Sequence, residues 1–80
     1  MTLEAELIRN GYMHLRQAPD GRWFGMQRFL FTWAILEDLG DEGYDRRWCY
    51  NDYASCFGAY CDFVNGGFVD KPAGWIVEKG

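Results

Sequence analysis

The spacing of apolar residues changes several times along the chain, and each change marks an element. Leu3 and Leu7 stand four apart with Ile8 beside them, which is the spacing of one helical face. Thr2 suits the N-cap, Glu4 and Glu6 suit the positive end of the helix dipole, and Asn10-Gly11 suits a helix stop. A short helix is expected over residues 2–10. Tyr12 to Gln17 reads as a strand. Ala18-Pro19-Asp20-Gly21 reads as a tight turn, because Pro presets φ and Gly supplies positive φ. From Arg22, alternation places Trp23, Gly25, Gln27, Phe29, Phe31, Trp33 and Ile35 on one face. The other face carries Phe24, Met26, Arg28, Leu30, Thr32, Ala34 and Leu36. Beyond Phe29 both faces are apolar, which predicts one long strand covered on both sides, with Gly25 marking a bulge. Residues 26–39 also hold Leu, Met, Ala and Glu, so a helix there is the competing reading. The turn signals at both ends and the Phe-Leu-Phe-Thr-Trp stretch favour strand.

Gly40 and Gly43 flank Asp41-Glu42 and predict a hairpin connection. In the strand that follows, Tyr44, Arg46, Trp48 and Tyr50 alternate against Asp45, Arg47 and Cys49. Asn51 or Asp52 caps the clearest helix, whose apolar positions Tyr53, Cys56, Phe57, Tyr60, Cys61 and Val64 fall on one face. Asn65-Gly66-Gly67 stops it, Phe68 to Gly74 is a loop, and Trp75 to Lys79 forms a last short strand. The order α-β-β-β-α-β predicts an α+β fold: an antiparallel sheet of three or four strands with helices on one face. Residues 1–80 form one small domain with no internal repeat, low-complexity segment or linker.

Composition sharpens this picture. A chain of 80 residues buries only about 60% of its unfolded surface. Four Trp, five Tyr and six Phe compensate, since each ring removes about 150–250 Å² from water. A hydrophobic fraction of 49% argues against intrinsic disorder. The net charge of −4 and a pI near 4.7 argue against a broad nucleic-acid surface, which needs clustered Lys and Arg. The first ten residues lack a basic start and an apolar stretch, and no apolar run approaches the ~18 residues of a membrane span. Cys49, Cys56 and Cys61 make an odd set, as expected of buried free thiols in a reducing cytoplasm.

Several constellations invite chemistry. Cys56 and Cys61 have a separation near that of zinc ligands, but they fall on the core-facing helix stripe, so no metal is expected. His14 could meet a cysteine in space as a nucleophilic pair, yet no oxyanion-type glycine turn flanks any cysteine. Gly66-Gly67 lacks the Gly-Lys-Ser/Thr of a phosphate loop. The expectation is a non-enzymatic protein without cofactor. Arg46 and Arg47 point to opposite faces by alternation and suit an internal charge network. Trp33 and Trp48 suit the core. Trp23, beside a turn, and Trp75, beside Pro72-Ala73-Gly74, suit surface anchors for a partner.

The strongest functional signal is the run Glu37, Asp38, Asp41, Glu42 and Asp45, five carboxylates within nine positions and no intervening cation. Like charges repel, so such a turn costs stability unless a cationic partner meets it. It is read either as a solubilising tip or as a contact for a cationic partner.

Three segments resemble small orphan proteins of phages, prophages and bacterial genomes. They are Arg28-Phe29-Leu30-Phe31-Thr32, Gly43-Tyr44-Asp45-Arg46-Arg47-Trp48-Cys49-Tyr50 and Pro72-Ala73-Gly74-Trp75-Ile76-Val77-Glu78-Lys79-Gly80. In size, acidity and aromatic content the chain is also similar to anti-CRISPR proteins. That resemblance implies an inhibitor in the cytoplasm of a bacterial host. It would bind a Cas effector complex and set carboxylates where target DNA phosphates would lie. The Cas surfaces that hold DNA are lined with Lys and Arg. The resemblance carries no catalytic residue. The alternative is a small adaptor that binds a protein partner through exposed aromatics, as a monomer or a weak homodimer paired at an edge strand near Tyr12 or Trp75.

Overall fold

A computed structural model describes residues 2–40, 42–69, 72 and 74–79, the last three, Val77–Lys79, by their backbone. The elements are α1 (Leu3–Arg9), β1 (Met13–Gln17), β2 (Trp23–Arg28), β3 (Trp33–Glu37), β4 (Arg46–Tyr50), α2 (Tyr53–Asn65) and β5 (Val77–Lys79). The fold is α+β. Strands β1 to β4 form an open antiparallel meander, extended beyond β4 by the short β5.

The apolar run from Arg22 is two strands rather than one, and it is not helical. Phe29 N–H donates to Thr32 O at 2.7 Å, closing a hairpin that sets Arg28 opposite Trp33. An unbroken strand from Arg22 to Leu36 would be roughly 50 Å long at ~3.3 Å per residue. The longest dimension of the Cα trace is 34 Å. Folding the run back satisfies its backbone groups and lets β3 lie centrally between β2 and β4.

Register divides the residues between two faces. Met26, Ile35 and Trp48 stand side by side, as do Phe24, Glu37 and Arg46. This face packs on α2, and its core joins Phe24, Met26, Ile35, Trp48 and Tyr50 to Cys56, Tyr60 and Phe63. Ala34, Leu36 and Cys49 point the other way, where Leu7 of α1 and Leu39 close a second cluster. The two helices therefore lie on opposite faces, not on one. Both faces of β3 are apolar, and each needs a cover.

Helix ends follow the local chemistry. Ala5 N–H donates to Thr2 Oγ1 at 3.2 Å and Ser55 N–H to Asp52 Oδ1 at 2.7 Å. Gly66 caps α2 and Gly67, with φ of 84°, turns the chain away. The buried residues of α2 are Cys56, Tyr60 and Phe63, whereas Phe57, Cys61 and Val64 are half-buried and Tyr53 is exposed. The buried stripe is thus rotated toward Phe63, which packs edge-on against Phe24 and Phe68 at 5.5 and 5.7 Å.

A bulge in β1 and a left-handed residue after β3 place side chains that simple alternation would misplace. Between Met13 and Arg16, β1 holds one residue more than β2 opposite it, and His14 takes φ of 54°. Met13 then joins the α2-face core and Leu15 the opposite cluster. At Asp38, φ is 56°, and Leu39 N–H returns to Trp23 O at 2.8 Å. Leu15 and Leu39 converge over Gly25, where a Cβ would stand 3.2 Å from both and 3.1 Å from Met13 O. A Cβ there would crowd all three atoms, and the bulge expected near Gly25 lies in β1 opposite it.

Candidate functional site

The acidic segment lies at the end of the sheet where β3 gives way to β4. Asp38 takes the left-handed conformation, with φ of 56°, which Asp adopts more readily than most residues. Leu39 is buried and pins the segment to the second cluster. Gly40 and Gly43 exchange backbone hydrogen bonds of 2.7 and 3.2 Å, and Asp45 N–H donates to Glu37 O at 2.9 Å. Leu39 and Asp45 therefore tie the loop to the sheet, and the Gly40–Gly43 pair closes it on itself.

The structure separates the carboxylates expected to act together. Glu37 points to the α2 face, half-buried, and accepts a hydrogen bond from Trp48 Nε1–H. Burial raises its pKa, against the lowering effects of the Trp48 bond and of the Arg46 and Arg22 charges. Asp38, Glu42 and Asp45 are exposed and line an open depression with Gly40, Gly43 and Tyr44. No ion pair or hydrogen bond holds these three side chains among the described residues. Asp41 lies outside the described residues.

The neighbouring arginines do point to opposite faces. Arg46 lies over the Trp48 ring at 5.4 Å. Arg47 lies between the rings of Phe29 at 4.4 Å and Tyr44 at 6.0 Å, and its buried Nε has no hydrogen-bond partner among the described residues. Both guanidiniums stack on rings, as weakly hydrated cations do, and the Arg46 charge also acts on Glu37.

Of the tryptophans, Trp48 is buried and Trp33 half-buried. Trp23 packs against the second cluster, and Trp75 rests its ring 5.2 Å from that of Trp48. Trp75 is exposed, but among the described residues the most exposed large apolar side chains are Leu30 at 81% and Phe31 at 85%, on the β2–β3 hairpin. Sequence reasoning placed them inside a covered strand. The absence of Gly, Pro, Asn or Asp from Phe29-Leu30-Phe31-Thr32 concealed the turn.

His14 and Cys61 share one cleft of ≈ 170 Å³ between β1 and α2, with no hydrogen bond between them among the described residues. His14 Nε2, however, shares a 2.7 Å hydrogen bond with the Tyr53 hydroxyl, and its ring packs 4.7 Å from Phe57. Cys56 is fully buried, and burial pushes its thiol up to about 12. All three cysteines are free, and no group of three metal-binding side chains is assembled among the described residues. Among the described residues no helix is long and apolar enough to cross a membrane. Comparison with protein-family models, with curated proteins and with solved structures finds no match to this chain.

Proposed function

We propose that this protein is a non-enzymatic binding module whose acidic end contacts a cationic protein surface. The observation behind this reading is the exposure of Asp38, Glu42 and Asp45 around one depression, with no cation holding them among the described residues. Fixed like charges on a tethered loop repel one another in the free protein, and a basic partner removes that cost. The surfaces that offer such a row of cations are those that bind nucleic-acid phosphates. In its specific form the proposal is an anti-CRISPR-like inhibitor, in the cytoplasm of a bacterial host, that occupies the DNA-binding surface of a Cas effector complex. Size, acidity and the carboxylate end support that form. Glu37 contributes to the potential from the foot of the loop, and Asp41 belongs to the same run.

The test is competition with target DNA for a purified effector complex. Wild-type inhibition should weaken between low and physiological salt, because exposed charges are screened over about 8–10 Å. Glu42→Lys with Asp45→Lys should abolish inhibition and leave the fold intact. Equal inhibition by the reversed protein would reduce the acidic end to a solubilising device.

A second reading is favoured by a different observation. Leu30 and Phe31 are adjacent, large and mostly exposed, as in an adaptor that docks through an apolar tip. Apolar docking is nearly indifferent to salt, so ionic strength separates the two readings.

A further inference from the structure

We propose that the cleft between β1 and α2 binds a small carboxylate with an apolar tail. Its volume, ≈ 170 Å³, is close to that of cavities that hold one benzene ring, about 150 Å³. The walls differ in character. Phe57 and Val64 supply apolar surface from α2, while Arg16 and Asn65 supply hydrogen-bond donors. One Arg16 donor is used on Leu15 O at 2.8 Å, and the side chain lines the cleft with its other donors unassigned among the described residues. Its charge acts on the Tyr60 hydroxyl, and Tyr60 also lines the site. No carboxylate lines this cleft among the described residues, in a chain whose net charge is −4. A concave site with a guanidinium and no acid suits an anion. The planar fork of arginine fits a carboxylate with two parallel bonds, and the tail would lie on Phe57 and Val64.

The backbone beside the cleft is held in an uncommon state. His14 is a non-glycine residue at φ of 54°, and Tyr60 Oη–H donates to its carbonyl at 2.6 Å. Over-determined backbone of this kind clusters at ligand sites. Here the bulge also seats Leu15 over Gly25, a packing role. Packing alone does not require Arg16 and Asn65 at the mouth of the same cleft.

The test uses the full chain, labelled with ¹⁵N and titrated with sodium benzoate, benzyl alcohol and sodium acetate. Benzoate should shift the amides of His14, Arg16, Cys61 and Asn65 in a saturable way. Benzyl alcohol lacks the charge and acetate lacks the tail, so each should bind about tenfold more weakly or worse. Arg16→Gln changes an exposed side chain and should keep the spectrum of the folded protein while weakening benzoate about tenfold. Arg16→Lys should retain part of the affinity. Benzoate should also slow alkylation of Cys61 by iodoacetamide. The Glu42→Lys, Asp45→Lys protein should bind benzoate as wild type does, which keeps this proposal separate from the acidic end. Benzyl alcohol binding as tightly as benzoate, unchanged affinity in Arg16→Gln, or shifts mapping away from the cleft would overturn the proposal.

Discussion

Glu37 and Asp38 are adjacent carboxylates with different surroundings. Glu37 is partly removed from water and its pKa is raised, chiefly by that burial. A raised pKa means that the fold prefers the protonated acid. The corresponding stability is complete below the ordinary value of 4.5 and is lost as pH rises through the raised value. Glu37→Gln keeps an oxygen that can accept from Trp48 Nε1–H and removes the charge. It should raise the melting temperature at neutral pH, and the two proteins should converge as pH falls below 4.5. A constant difference across pH would assign the effect to shape rather than ionisation. Asp52 behaves in the opposite sense. The bonds from the Ser55 backbone and side chain lower its pKa, so its contribution is present above the ordinary 3.8 and fades as pH drops through the lowered value. Tyr60→Phe removes the donor to His14 O and should cost about 1 kcal/mol, read from denaturant unfolding.

At the scale of elements, the β2–β3 hairpin and α2 show where pattern reading holds and where it slips. The period of α2 was legible, and so were its glycine stop and a cap at Asn51 or Asp52, of which the structure uses Asp52. Its exact buried stripe was not, because Phe63 is chosen by the positions of Phe24 and Phe68. Phe63→Ala should therefore cost roughly 3–5 kcal/mol, lowering the melting temperature by more than about 10 °C. Phe57→Ala, at a half-buried position, should cost clearly less. The reverse ranking in thermal unfolding would contradict the observed rotation of the helix. The hairpin was illegible for a different reason: a turn of ordinary φ accepts most residues, so Phe29 to Thr32 shows no turn signature. Leu30→Ser with Phe31→Ser should leave stability within about 0.5 kcal/mol, as exposed sites do. It should also reduce self-association at high concentration, which sedimentation would show. A large loss of stability would mean that the tip is packed.

For the molecule as a whole, two covered faces and unequal thiols follow from the sheet lying between the helices. Cys49 and Cys56 are buried on opposite sides of it, and Cys61 is half-buried at the cleft. A thiolate is the reactive species, and a thiol pushed up to about 12 is scarcely ionised at neutral pH. One cysteine, Cys61, should react with Ellman's reagent in the native protein, and all three should react after denaturation. Rapid reaction of Cys56 without unfolding would show that the α2 face opens.

The candidate site was legible to the same mixed degree. That an acidic segment would join two strands is written in Gly40 and Gly43, whose spacing sets the turn. That Glu37 would turn inward while Asp38, Glu42 and Asp45 stay in water is a consequence of register with β2 and β4, which no local pattern contains. Local chemistry also set the caps of both helices, the turn at Ala18 to Gly21 and the α+β class, because these depend on residues a few positions apart. The opposite placement of the two helices, the rotation of α2 and the cleft that His14 and Cys61 both line depend on residues far apart in the chain. The one-residue bulge at His14 moves the following side chain to the other face of the sheet, so only the assembled fold decides which groups share a site.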